Sequence, residues 1–146
     1  MYLLIVNQTY LFMFQLNAKT DYGLLIMLEL AKSNTITPLS PLAKRLKVSS
    51  PYLSQIANSL FKAGLVKSKE GATGGYYLAK SAEEISVWSI LAALSGEVKV
   101  RCTDTGHKTC PNFRACGLKS AWPLLLEDIK ASLAHRSLAD LLDKKI

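Results

Sequence analysis

Cysteine is scarce in this chain: three among 146 residues, too few and odd in number to staple a secreted domain. Glycine and proline are scarce as well, at eight and five, which excludes collagen-like and low-complexity sequence. No unbroken apolar run reaches the roughly 18 residues that a membrane helix needs, so no membrane partner is expected. Acidic residues are outnumbered: 11 Asp and Glu stand against 18 Lys and Arg, a net charge of +7. What remains is an ordinary globular composition, 49% hydrophobic and 20% charged. Its length suits one domain, or a small domain with a helical appendage. The surplus of positive charge points to an anionic partner.

That surplus is concentrated. Residues 1–40 balance to zero and residues 81–146 to +1, whereas residues 41–80 carry Lys44, Arg45, Lys47, Lys62, Lys67, Lys69 and Lys80 against Glu70 alone, a net +6. The first eighteen residues are uncharged and mostly apolar. They lack the basic start and the small-residue cleavage site of a secretory signal, so a cytoplasmic protein is expected. Asn7, Gln8 and Thr9 interrupt the run, and residues 1–12 read as a tail ahead of Met13, an alternative first residue.

Helical spacing of Leu24, Leu25, Met27, Leu28 and Ala31 predicts a helix over about Thr20–Lys32, ended by Ser33-Asn34-Thr35. Ser40-Pro41 then reads as an N-cap and first-turn proline, opening a short helix with Leu42, Ala43 and Leu46 inward. Ser50-Pro51 repeats the signal, and Leu53, Ile56, Ala57 and Leu60 follow at i, i+3, i+4 and i+7 as a buried stripe that Gly64 stops. Two short helices joined by a tight turn make a helix-turn-helix. Leu65–Lys69 and Tyr76–Leu78, around a turn of Gly71-Ala-Thr-Gly-Gly, predict a β-hairpin wing. Residues 81–84 suggest one helical turn, and Ser86 caps a helix with Val87, Ile90, Leu91 and Leu94 inward, closed by Gly96. The fold class is therefore mainly α with a small β-hairpin, a winged helix-turn-helix over residues 13–96.

Such a domain reads double-stranded DNA. Ser50, Tyr52, Ser54, Gln55, Asn58, Ser59 and Lys62 lie on the outer face of the second helix and offer groups sized for base edges and phosphates in a major groove. In the wing, Lys69 and Thr73 suit the sugar-phosphate chain, and Gly74 lets backbone approach it.

Residues 97–146 read as a cysteine loop and a long C-terminal helix. Trp122, Leu125, Leu126, Ile129 and Leu133 share one face of that helix, which Pro123 either starts or kinks, and Ser137 caps a last segment, Leu138 to Leu142. The stripe could pack on its own domain, but so small a winged domain offers little further surface to cover. A homodimer through this helix is expected, presenting two recognition helices to a two-fold DNA site.

Cys102, Cys110 and Cys116 stand at C-x7-C-x5-C in a polar stretch with Lys99, Arg101, Lys108 and Arg114 close by. Cysteines with only a packing role are scattered at apolar positions; gathered thiols in basic surroundings suit an iron-sulfur cluster or a redox switch. Zinc would favour paired C-x2-4-C ligands, which are missing. A metal-free regulator sensing redox state through its thiols is the alternative. An enzyme using Cys102 with His107 is disfavoured, since no orienting partner or oxyanion site accompanies them.

Several stretches resemble the IscR/NsrR-type winged-helix transcription regulators, many of which sense through iron-sulfur clusters. They are Lys19-Thr-Asp-Tyr-Gly-Leu, Ser50-Pro-Tyr-Leu-Ser-Gln-Ile, Lys62-Ala-Gly-Leu-Val, the wing Gly71-Ala-Thr-Gly-Gly-Tyr-Tyr-Leu, Cys110-Pro-Asn-Phe-Arg-Ala-Cys-Gly-Leu and Ser137-Leu-Ala-Asp-Leu-Leu. The resemblance covers about Phe14 to Leu142. It implies a homodimeric regulator whose occupancy by a [4Fe-4S] or [2Fe-2S] cluster on Cys102, Cys110 and Cys116 changes DNA binding. The cysteine spacing is most similar to the iron-responsive rhizobial members, then to the nitric-oxide-sensing ones. Two departures stand out: Lys119 occupies the place of the histidine ligand some members use, and Glu70 precedes the wing glycine where many carry a basic residue. For a fourth ligand the resemblance offers Asp21, which in nitric-oxide-sensing members would come from the partner subunit, while the loop itself offers His107 and Asp104. Asp21 also lies at a helix start, where a carboxylate is favoured by the dipole alone.

Overall fold

The computed structural model describes residues 17–96 and 115–143. The elements, in chain order, are α1 (Ala18–Ser33), α2 (Leu39–Leu46), α3 (Ser50–Lys62), β1 (Val66–Lys69), β2 (Gly75–Leu78), α4 (Val87–Ser95), α5 (Leu118–Ala134) and α6 (Leu138–Leu142). The helices with one hairpin form a winged helix-turn-helix, the expected fold class.

Local chemistry sets the helix ends. The Asn17 side chain accepts the Thr20 N–H at 3.0 Å, so α1 begins before the predicted Thr20. Asn34, at φ 50°, ends it. α2 starts at Leu39 behind Pro38, with Ser40 inside its first turn, so Ser40 is not the cap that Ser40-Pro41 suggested. In α3 the cap is Ser49, whose hydroxyl accepts the Tyr52 N–H at 3.3 Å. Ser50 becomes the first helical residue. At the other end Gly64, at φ 73°, donates its N–H to the Phe61 carbonyl, and Leu65 donates to Leu60. This pair of bonds satisfies carbonyls that the helix leaves open and needs a left-handed residue, which glycine adopts without strain.

One cluster forms the core. Ile26, Met27 and Leu30 of α1 meet Leu42 and Ala43 of α2, Leu53, Ile56, Ala57 and Leu60 of α3, Val66, Ile85, and Ile90 and Leu94 of α4. The stripes of α3 and α4 are those that spacing predicted. The face of α1 is not. Of its five expected core residues only Met27 is fully buried; Leu24, Leu28 and Ala31 pack at the edge, and Leu25 is 40% exposed. Gly23 and Ile26 take the inner position instead, because α1 is apolar on most sides and its neighbours choose the face.

β1 and β2 pair antiparallel, Val66 with Leu78 through Lys69 with Gly75. The connection before α2 adds a bridge: Thr37 and Tyr76 exchange two N–H to carbonyl bonds of 2.9 Å. The wing is thereby tied to the helix-turn-helix. Residues 81–84 form a hydrogen-bonded turn rather than the expected helical one. Within it the Ser81 hydroxyl and N–H bind the Glu84 carboxylate and hold it below the usual carboxylate range.

The C-terminal elements divide in two ways. α5 begins at Leu118 with Pro123 inside it, packs against α4 and has no buried residue. α6 returns to α1. Ser137 caps it in a capping box with Asp140, the stretch before it bridges to α4's cap through Ser86 and Ser137, and Leu138 enters the core cluster fully buried. The winged domain's core thus includes a residue from the far side of the 97–114 stretch.

Candidate nucleic-acid interface

With Leu53, Ile56, Ala57 and Leu60 fixed in the core, the 3.6-residue period turns the rest of α3 outward. Ser50, Ser54, Gln55, Asn58 and Lys62 are exposed, and Ser59 is half-buried with its hydroxyl donating to the Gln55 carbonyl at 3.4 Å. Among the described residues no ion pair engages Lys62, so its charge is available to a ligand. The amides of Gln55 and Asn58 can each donate and accept, as base-edge reading requires. Tyr52 differs from the other predicted contacts. It is half-buried, and its ring stands edge-on to Tyr22 of α1, with centroids 5.9 Å apart and planes at 89°.

Exposed cations stand on the neighbouring elements. Lys47, exposed at φ 55°, forms the left-handed end of α2 immediately before α3. Lys67 and Lys69, two apart on β1, are exposed, as is Thr73 at the wing's turn. Arg45 is spent otherwise. Its guanidinium donates to Glu29 of α1 at 2.6 Å, and that bond, with the attraction of the carboxylate, raises its already high pKa. The basic surplus of residues 41–80 thus contains one charge neutralised from α1, and Lys80 lies beside Glu84, so the other lysines carry the rest.

The wing glycines have an internal reason as well as the predicted one. A Cβ on Gly74 would lie 2.3 Å from the Lys69 carbonyl oxygen, and one on Gly75 2.4 Å from that of Thr37. Both glycines permit backbone to pack on backbone, so the tight turn itself depends on them. Gly74→Ala is expected to open the turn and lower duplex affinity several-fold, while the melting of the helical core stays nearly unchanged. Fluorescence anisotropy with a labelled duplex, beside circular dichroism melting, checks this.

Of the predicted cluster ligands, Cys102 and Cys110 lie outside the described residues, as do His107 and Asp104. Cys116 is a free, half-buried thiol, one residue ahead of the Gly117 cap of α5. Its carbonyl accepts the Lys119 N–H at 3.4 Å. Asp21 is exposed in the first turn of α1. Among the described residues no three His, Cys, Asp or Glu side chains gather closely enough to hold a metal ion. Sequence reading leaves Tyr22 and Thr20 out of the interface, since helical spacing points only to Leu24 in the Lys19–Leu24 stretch, and it places Lys47 only in the basic surplus.

Comparison with known proteins agrees with this geometry. The family model for Rrf2, described as an iron-dependent transcriptional regulator, matches residues 16–144. The chain is 33% identical over 131 residues to the protein rrf2 of Nitratidesulfovibrio vulgaris, covering 88% of this chain and 87% of that one. It is 33% identical to the HTH-type transcriptional regulator IscR of Serratia proteamaculans over 134 residues, 90% of this chain and 80% of that one. Among solved structures it is similar to CymR, the global cysteine regulator of B. subtilis, with a TM-score of 0.70 and 31% identity over 90% of this chain and 98% of that one. It is similar also to T. potens IscR, with a TM-score of 0.68 and 33% identity over 91% and 89%. The chain belongs to the Rrf2 family of transcriptional regulators, and α2, α3 and the β1–β2 wing form its DNA-binding winged helix.

Proposed function

We propose that this regulator binds duplex DNA as a homodimer and that an iron-sulfur cluster held by Cys102, Cys110 and Cys116 sets its affinity. The observation that carries the reading is the gathering of all three cysteines of the chain between α4 and α5, with Cys116 free and half-buried at the entry to α5. That donor set fits the group: thiolates are the usual ligands of iron-sulfur clusters, and an anionic cluster is favoured beside a helix N-terminus. Bound there, a [4Fe-4S] or [2Fe-2S] cluster supplies a centre that reacts to iron supply, nitric oxide or redox state. The fourth position would fall to Asp21 of the partner subunit, to His107 or Asp104, or to an exogenous ligand, or one iron stays open.

DNA contacts fall to Ser50, Ser54, Gln55, Asn58 and Lys62 on α3, with Tyr52 at its rim, and to Lys69, Thr73 and Gly74 in the wing. Dimerisation falls to α5. Of the expected stripe, Leu125 is 47% exposed, while Trp122, Leu126, Ile129 and Leu133 are half-buried; Leu118 and Leu124, outside that stripe, are 55% and 68% exposed, and a second copy of the helix would cover this apolar surface. The protein acts where duplex DNA and reduced thiols coexist, in the cytoplasm.

Purification without oxygen tests the cluster. The protein should be brown, with visible absorption that Cys110→Ser removes, since three ligands share one group. A second reading rests on similarity to CymR of Staphylococcus aureus, solved in an oxidized form at 30% identity: a metal-free thiol sensor. A colourless protein whose DNA affinity follows thiol oxidation would establish that reading and discard the cluster.

A further inference from the structure

Tyr22 and Thr20 stand two residues apart on the first turns of α1, and each reaches a different neighbour. Thr20 is fully buried, and its hydroxyl lies 3.0 Å from the Asn17 side-chain oxygen and 3.0 Å from the hydroxyl of Ser95, the last residue of α4. Ser95 is followed by Gly96 and then by the cysteine-bearing stretch. One residue beyond Tyr22, α1 touches α4 again: a Cβ on Gly23 would lie 2.2 Å from a methyl of Leu94. Tyr22 points elsewhere, edge-on to Tyr52 in the first turn of α3. The Tyr52 N–H is also the one that Ser49 caps.

We infer that Tyr22 is a positioning residue for DNA recognition, setting the N-terminal turn of α3 through Tyr52, and that Thr20 connects this pair to the end of α4. The physical basis is the contact's direction. Edge-to-face aromatic pairs have preferred geometry, unlike aliphatic packing, so the ring of Tyr22 fixes where Tyr52 stands. Ser54, Gln55 and Asn58 follow on the same helix. Base-edge hydrogen bonds tolerate little misplacement, whereas phosphate contacts with mobile lysines tolerate more. The pair should therefore govern discrimination between sequences more than affinity for DNA in general. The link to Ser95 gives α1 an input from the stem of the cysteine stretch, and in this respect the inference rests on the function proposed above.

The experiment uses the full chain and a duplex selected by the unaltered protein from a random library, with a scrambled duplex as the non-specific probe. In metal-stripped protein, Tyr22→Leu should lower the ratio of specific to non-specific affinity about two- to tenfold, whereas Tyr22→Phe, which keeps the ring, restores it. Tyr52→Leu should lower the ratio similarly, and the double variant should lose little more than either single one, because the two rings act as a pair. Ser95→Ala, on an exposed residue, should narrow the difference in affinity between iron-loaded and metal-stripped protein. A folded Tyr22→Leu protein with an unchanged ratio overturns the positioning role, as does additivity of the two leucine variants. If Tyr22→Leu does not fold, Tyr22→Met decides: a lowered ratio supports the ring contact, and an unchanged ratio overturns it. An unchanged Ser95→Ala difference removes Thr20 and Ser95 alone. A library from which the unaltered protein selects nothing overturns the inference and the DNA-reading function together.

Discussion

Leu138→Ala should destabilise the protein by about 2–5 kcal/mol, although the residue lies more than forty positions beyond the last helix of the winged domain. Leu138 is fully buried in the cluster that holds the recognition helix. Its backbone is pinned there: the Leu138 N–H donates to the Ile85 carbonyl at 2.8 Å, and the Val87 N–H donates to that of Arg136 at 2.8 Å. Truncation leaves a hole that these bonds prevent from collapsing, which is the condition for a large cost. The measurement is urea unfolding at fixed protein concentration, with a lowered midpoint and an unchanged slope. A cost below about 1 kcal/mol would place Leu138 outside the working core. For the same reason a fragment of residues 13–96 should be far less stable than the whole chain.

This residue also shows where sequence reading stops. Ser137 as cap of Leu138–Leu142 is legible, because an N-cap is local chemistry, and the structure adds only the reciprocal bond from Asp140. That the capped segment returns to α1 is a tertiary fact with no local signal. The stripe of α3 is legible because polar residues border it. The stripe of α1 is not, because Leu24, Leu25 and Leu28 are as apolar as Ile26 and Leu30, and packing decides. Pro123 leaves two readings of α5, a start or a kink: proline is tolerated best in a first turn, but the helix begins five residues earlier, at Leu118, and Pro123 lies inside it. At the interface, exposure of Gln55, Asn58 and Lys62 follows from the period alone. The partial burial of Tyr52 does not, since its partner Tyr22 is thirty residues away in sequence.

Substitutions on the interface should separate two kinds of binding. Gln55→Ala and Asn58→Ala should each cost about 1–3 kcal/mol on a selected duplex and little on a scrambled one, since their exposed amides can read base edges but carry no charge. Lys69→Ala should weaken both duplexes alike and reduce the slope of log affinity against log salt by about 1, since its exposed ammonium in the wing is expected to neutralise phosphate. Titrations at several salt concentrations give both quantities. Equal losses on both duplexes for Gln55→Ala and Asn58→Ala would mean that α3 does not read sequence. An unchanged salt slope for Lys69→Ala would take the wing off the backbone.

In the proposed function the cysteine-held group controls the winged helix. A bound group shifts the balance between two DNA affinities only by its differential affinity for the two states, so one comparison isolates it: duplex affinity of iron-loaded protein, of the same protein stripped of metal, and of Cys110→Ser, all measured without oxygen. Loaded and stripped protein should differ by about tenfold or more, and Cys110→Ser should match the stripped protein whatever iron is supplied. One affinity shared by all three would contradict that control.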